Sequence, residues 1–212
     1  MKTILYGLRA SGKTTILQEL QEKTGISGLD LDTRVVQEIQ KSHRRVQSIT
    51  DFVEWVWSMA QFRDLEHNVL KEVLNDNSPM ILALGWGTVA YDRNRHVIDP
   101  VDNYMMNPHS DEDARKNILE KVFNREKHPK KSIRVFLDIS PEEQRRRLEK
   151  DDEGNKDRPD LGKSLQGIYD ERIQAYRDFA NFTISVDGKT IEEIVDEILW
   201  NKQIEEAIKR AA

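Results

Sequence analysis

One run constrains this chain more than any other: Gly7-Leu8-Arg9-Ala10-Ser11-Gly12-Lys13-Thr14-Thr15, placed after the short apolar stretch Thr3-Ile4-Leu5-Tyr6 and before a helix-prone segment. It reads as a phosphate cradle. Gly7 and Gly12 stand where the backbone must turn tightly and approach a phosphate, Lys13 can reach the β/γ oxygens, and the Thr14 hydroxyl suits Mg²⁺. Main-chain N–H groups from Arg9, Ala10, Ser11 and Thr15 would wrap the anion, helped by the positive end of the following helix.

Composition narrows what surrounds this loop. A chain of 212 residues suits one domain with its own core. With no cysteine, disulfides, thiolate zinc sites and thiol catalysis are excluded, and a reducing compartment is expected. A net charge of −5 with 33% charged residues leaves no broad basic face, so a nucleic-acid partner is not expected. The apolar run before the loop is too short for a secretory signal, and no later run approaches a membrane span, so a cytoplasmic location is expected. Oligomeric state is not legible.

Along the chain, Ile16, Leu17 and Leu20 recur at helical spacing, predicting a helix from Thr14 to Thr24 stopped by Gly25. Gly28-Leu29-Asp30-Leu31-Asp32 predicts a second strand, whose period of two puts Asp30 and Asp32 on one side; the alternative is that Asp32 caps the next helix. Two carboxylates at a strand end beside a phosphate loop point to magnesium and hydroxyl chemistry. Asp51 with Glu54 resembles a capping box, opening one long helix to about Asn75, on which Trp55 and Trp57 read as packing. By itself Arg63, three residues before Glu66, reads as a surface ion pair.

Pro79 to Leu84 predicts a buried strand running into Gly85-Trp86-Gly87, at the end where open α/β sheets bind ligands. Residues of about 89–131 read as a polar surface insertion with one helical piece near Asp113 to Asn124, and His96, His109 and His128 lack metal-ligand spacing. Ile133 to Ile139 predicts another strand, followed by a helix capped by Ser140 with Glu143 and carrying Arg145, Arg146 and Arg147. The polar run after it, about 151–163, reads as a movable loop. A helix from about Lys163 to Ala180, a strand Phe182 to Val186 and a final apolar-striped helix complete an alternating pattern. Such alternation predicts a three-layer α/β/α fold around a mostly parallel sheet.

Taken in order, these motifs resemble the shikimate kinase family, within the nucleoside monophosphate kinase-like P-loop folds. The resemblance rests on Gly7 to Thr15, Asp30-x-Asp32, Phe62-Arg63-x-x-Glu66, the strand ending at Gly85 and Gly87, Arg158-Pro159, and Glu171-Arg172 with Tyr176. It implies five strands, a mobile lid, and ATP-dependent phosphorylation of the 3-hydroxyl of shikimate. Carried over by residue, it implies ATP binding by Gly7 and Arg9 to Thr15, Mg²⁺ at Thr14 and Asp30, and catalytic roles for Lys13, Asp32 and the lid residue Arg158. It further implies an acceptor site of Asp32, Arg63, Gly85, Trp86, Gly87 and Arg172, the two arginines gripping a carboxylate. The implied partner is a small anionic hydroxylated molecule.

The sequence departs from that pattern on the acceptor side. The family has three glycines where this chain has Gly85-Trp86-Gly87, and its usual Pro-Leu before the tyrosine is Gln174-Ala175 here. Either the Trp86 side chain points away or it reshapes the pocket. Phosphorylation of another small hydroxy acid, or nucleotide binding without transfer, are the alternatives that this change leaves open.

Overall fold

Ile4, Leu5 and Tyr6 carry no exposed surface, because their strand lies at the centre of the sheet. The structure, a computed structural model, describes residues 2–55, 58–76, 78–99, 132–150, 164–201 and 204. Strand β1 (Lys2–Gly7) leads through the loop into α1 (Lys13–Thr24), then β2 (Gly28–Asp30), α2 (Leu31–Gln40), α3 (Ile49–Trp55), α4 (Met59–Asn75) and β3 (Met80–Ala83). A 3-10 turn (Thr88–Ala90) and α5 (Asp92–Ile98) follow. Then come β4 (Ile133–Asp138), α6 (Pro141–Lys150), α7 (Leu165–Phe179), β5 (Phe182–Ser185) and α8 (Ile191–Trp200). The five strands are parallel in the order β2-β3-β1-β4-β5. This is the α/β P-loop kinase fold expected, and it brings every strand's carboxyl end to one edge.

Helix α1 starts and stops where glycine permits a left-handed backbone, at Gly12 with φ 86° and Gly25 with φ 70°. Behind the sheet's centre, Tyr6 stacks on Phe136 with centroids 5.6 Å apart, and Tyr176 and Phe179 close the cluster. Burying each such ring contributes roughly 2–3 kcal/mol.

Four expectations change in detail. The second strand ends at Asp30, not Asp32, because the Asp30 carboxylate accepts from Thr33 N and so caps α2. The long helix is two helices, since Ser58 and Gln61 form a capping box that starts α4 afresh. At α3 the reciprocal bonds join Ser48 and Asp51, one turn earlier than the Asp51–Glu54 pair. The presumed surface insertion begins as core: Val89, Asn94, Arg95 and Ile98 are buried, and His96 is half-buried. The remainder of that segment from residue 100, with His109, His128 and the helical piece, lies outside the described residues, as do the loop at 151–163 with Arg158, and the Trp55 and Trp57 side chains. Among the described residues no helix is long and apolar enough to cross a membrane.

Candidate active site

The loop between β1 and α1 is held in its cradle shape by backbone geometry. Ala10 and Gly12 take positive φ values of 60° and 86°. A Cβ on Gly7 would sit 2.5 Å from the Leu137 carbonyl oxygen of β4, so only glycine fits there. Lys13 Nζ folds over the loop, donating to the carbonyl oxygens of Gly7 at 3.1 Å and Leu8 at 3.0 Å. A buried ammonium needs such partners, and phosphate oxygens can replace them.

Helix α6 braces the loop's outer rim through two residues that sequence reasoning missed. Gln144 Nε2 donates to Arg9 O at 3.1 Å, and Arg147 donates to Ala10 O at 3.3 Å and Val186 O at 2.7 Å. Their i, i+3 spacing on one helix face was the only available signal. Arg147 is in turn aimed by Glu143, 2.7 Å away. Hydrogen bonds from Arg146 and then Arg147 pull the Glu143 carboxyl down to about 2.

The expected magnesium pair is in contact: the Thr14 hydroxyl donates to Asp30 Oδ2 at 2.7 Å. Both groups offer the hard oxygens that Mg²⁺ prefers, so the donor set fits the ion. Two residues on, Asp32 faces a different space. It lines an open pocket of about 430 Å³ together with Arg63, Gly85, Trp86, Phe62, Met59, Gln37, Gln40 and Gln47.

Arg63 is not the surface ion pair its local sequence suggests. Its side chain is 8% exposed and pairs at 2.8 Å with Glu66, which is fully buried and also accepts from Thr88 Oγ1 at 2.6 Å. Burial works against the charge on Arg63, but the Glu66 carboxylate and then Tyr91 together more than offset it, leaving the guanidinium above its ordinary pKa. Thr88 is tied onward through its carbonyl to Asn94, and Asn94 to His67. The start of the supposed insertion therefore supports the pocket that Asp32 and Arg63 line.

Trp86 is among the residues that line this pocket, and its carbonyl oxygen accepts from Tyr176 Oη at 2.7 Å and from Arg172 at 3.5 Å. Arg172 stacks on the Trp86 ring with its Cζ 4.7 Å from the centroid. Burial pushes the Tyr176 hydroxyl up to about 12, so it stays a proton donor to that carbonyl. Arg63 lines the pocket, and Arg172 lies against Trp86 at its edge, with Tyr176 under the influence of both guanidiniums.

A family model for shikimate kinase matches residues 9–202. The chain belongs to the shikimate kinase family. Its relatives include a shikimate kinase of Enterococcus faecalis, 27% identical over 92% of this chain and 95% of that one. Another, from Flavobacterium johnsoniae, is 27% identical over 93% and 96%. Among solved structures, a shikimate kinase from Acinetobacter baumannii in complex with shikimate superposes with a TM-score of 0.69 over 97% of this chain and 94% of that one, at 21% identity. A deoxyadenosine kinase from M. mycoides superposes with a TM-score of 0.53 at 14% identity, over 97% and 100%. At such identity these two structures speak for the fold alone. As a shikimate kinase family member the chain is a phosphotransferase, and its phosphate loop is complete.

Proposed function

We propose that this enzyme transfers the γ-phosphoryl group of ATP to the 3-hydroxyl of shikimate. The observation that carries the reading is the turn from β2 into α2: Asp30 reaches Thr14 of the phosphate loop, and Asp32 two residues later lines the pocket that holds Arg63. One short segment thereby joins the nucleotide side to the acceptor side.

Thr14 and Asp30 would hold Mg²⁺, which when bound would supply positive charge beside the nucleotide phosphates. Lys13 and the loop amides position those phosphates. Asp32 orients the acceptor hydroxyl and takes its proton as the new bond forms. The transition state is loose, so positioning and charge neutralisation matter more than a strong base. Arg63, kept cationic by Glu66, meets the acceptor carboxylate with paired donors. Arg158, which lies outside the described residues, supplies the closing charge over the transferring group. The alternatives of another hydroxy acid or a non-catalytic nucleotide module are not favoured, because loop, magnesium pair and carboxylate-binding pocket occur together.

The test is ADP release by the purified protein with ATP and Mg²⁺. We expect release that depends on shikimate and yields shikimate 3-phosphate. ADP release unchanged by millimolar shikimate would overturn the assignment.

A further inference from the structure

We propose that Tyr91 is a positioning residue for acceptor binding: its ring holds the Arg63 guanidinium in the plane that presents its remaining donors to the acceptor carboxylate. The proposal rests on the shikimate kinase reading and deepens its account of how that acceptor is gripped.

Among the described residues, Tyr91 and Trp200 are the large apolar side chains left exposed, Tyr91 at 39%. The Tyr91 ring is nevertheless engaged, since Arg63 Cζ lies 5.2 Å from its centroid, inside the range of a cation–π contact. After Glu66, the Tyr91 side chain also favours the charged form of Arg63.

The backbone that carries this ring is anchored. Tyr91 stands between the 3-10 turn and α5, and its carbonyl opens α5 by accepting from Asn94 N at 3.0 Å and Arg95 N at 3.2 Å. Both of those residues reach back with their side chains: Asn94 Nδ2 donates to Thr88 O at 3.0 Å, and Arg95 Nη1 to Val89 O at 2.6 Å. Asn94 and Arg95 are buried, so the ring projects from a fixed point. Thr88 in the same turn gives its hydroxyl to Glu66, so this one turn reaches Arg63 twice, through Glu66 and through Tyr91.

Glu66 alone does not orient the guanidinium. One bond from Nη1 fixes one nitrogen and leaves the planar fork able to turn about it. Phe62, whose ring centroid lies 5.0 Å from Cζ, precedes Arg63 on the same helix and moves with it. Tyr91 comes from a separate segment, and its ring limits the remaining rotation. So held, Nη2 lies against Gly87, where a Cβ would come within 2.6 Å, and Nε is buried with no hydrogen-bond partner among the described residues. Nε and Nη2 share one edge of the guanidinium, and such an edge matches the two oxygens of a carboxylate.

The experiment measures KM and kcat of the full-length enzyme for shikimate and for its uncharged methyl ester. Tyr91→Leu should raise KM for the acid about five- to tenfold, with kcat and the ester's KM each within about twofold. Tyr91→Phe keeps the ring and should stay within about threefold for the acid. Arg63→Gln should raise the acid's KM at least about tenfold, and adding Tyr91→Leu to it should change KM by less than about twofold. An unchanged acid KM in Tyr91→Leu, an equal loss for acid and ester, or a Tyr91→Leu loss that persists beside Arg63→Gln overturns the proposal.

If wild type does not phosphorylate shikimate, the acceptor assignment fails by itself, and the Tyr91–Arg63 contact is read without substrate. Phenylglyoxal modification of Arg63, followed by mass spectrometry and normalised to Arg146 on α6, should run at least about threefold faster in Tyr91→Ala than in wild type. In Tyr91→Phe it should stay within about twofold. An unchanged rate at Arg63, or an equal rise at both arginines, refutes the contact.

Discussion

Gly85 and Asp32 are mutually exclusive with any larger residue at position 85, since a Cβ there would lie 2.4 Å from Asp32 Oδ1 and 3.1 Å from Glu66 Oε1. The glycine is what lets the Asp32 carboxylate, the proposed proton acceptor, lie against the end of β3. Gly85→Ala should therefore displace Asp32 and lower kcat/KM for shikimate by about a hundredfold, a shift of roughly an ångström being enough for that. ADP affinity, measured by calorimetry, should stay within about twofold because the phosphate loop is not in contact. Equal losses in both would mean that the substitution disturbs the whole sheet edge.

Asp30 does two jobs, and two substitutions separate them. Its Oδ1 caps α2 through Thr33 N at 3.2 Å, and its Oδ2 meets the Thr14 hydroxyl. Asn retains the capping oxygen but loses the charge, whereas Ala loses both. Asp30→Asn should raise the Mg²⁺ concentration for half-maximal activity about tenfold with stability within about 0.5 kcal/mol, and Asp30→Ala should also lose about 1 kcal/mol in urea denaturation. An Asp30→Asn enzyme with an unchanged Mg²⁺ dependence would remove Asp30 from the metal site.

The nucleotide half of the site was legible in the sequence because its geometry is dictated by backbone that few residue types allow: Gly12 at positive φ and Gly7 against β4 leave few alternatives. Sheet and layers followed for the same kind of reason, since buried strands separated by helical periodicity admit few arrangements. The acceptor half depended on contacts between distant segments. Period-two alternation put Asp30 and Asp32 on one strand face, yet side-chain capping by Asp30 won over strand continuation, and the two carboxylates serve different halves of the site. Apolar spacing ran through Ser58 without a break, so the capping box that divides α3 from α4 was overlooked. Beyond the i, i+3 spacing of Gln144 and Arg147, nothing local marks Arg147 as a brace of Ala10 or sets Arg172 against Trp86, because both relations join residues more than 80 positions apart.

Acid sensitivity should centre on Glu143. Its folded carboxyl lies at about 2, below the ordinary 4.5, owing to hydrogen bonds from Arg146 and Arg147. A lowered folded value contributes stability that is present above pH 4.5 and lost as pH falls towards 2. Glu143→Gln removes that contribution, so its Tm should be lower than wild type at pH 7, and the gap should shrink below pH 4.5 and close only as the pH reaches about 2. Because Arg147 also holds Ala10 O, nucleotide affinity of the variant at pH 7 should fall as well. Parallel Tm curves across this range would show that the Glu143 pairs contribute nothing measurable.

The Tyr176 hydroxyl is the last link between the aromatic core and the acceptor wall. It donates to Trp86 O at 2.7 Å, and the other donor to that oxygen, Arg172, stands at 3.5 Å. Tyr176→Phe keeps the ring packing against Tyr6 and Phe136 while removing this bond. A partly buried carbonyl left with one long partner should cost about 1 kcal/mol in chemical denaturation. The freed loop should also let the indole move, raising KM for shikimate by about three- to tenfold while kcat changes little. A stability loss with an unchanged KM would show that the Trp86 loop keeps its place without Tyr176, and that the indole's position depends on Gly85, Gly87 and Arg172 instead.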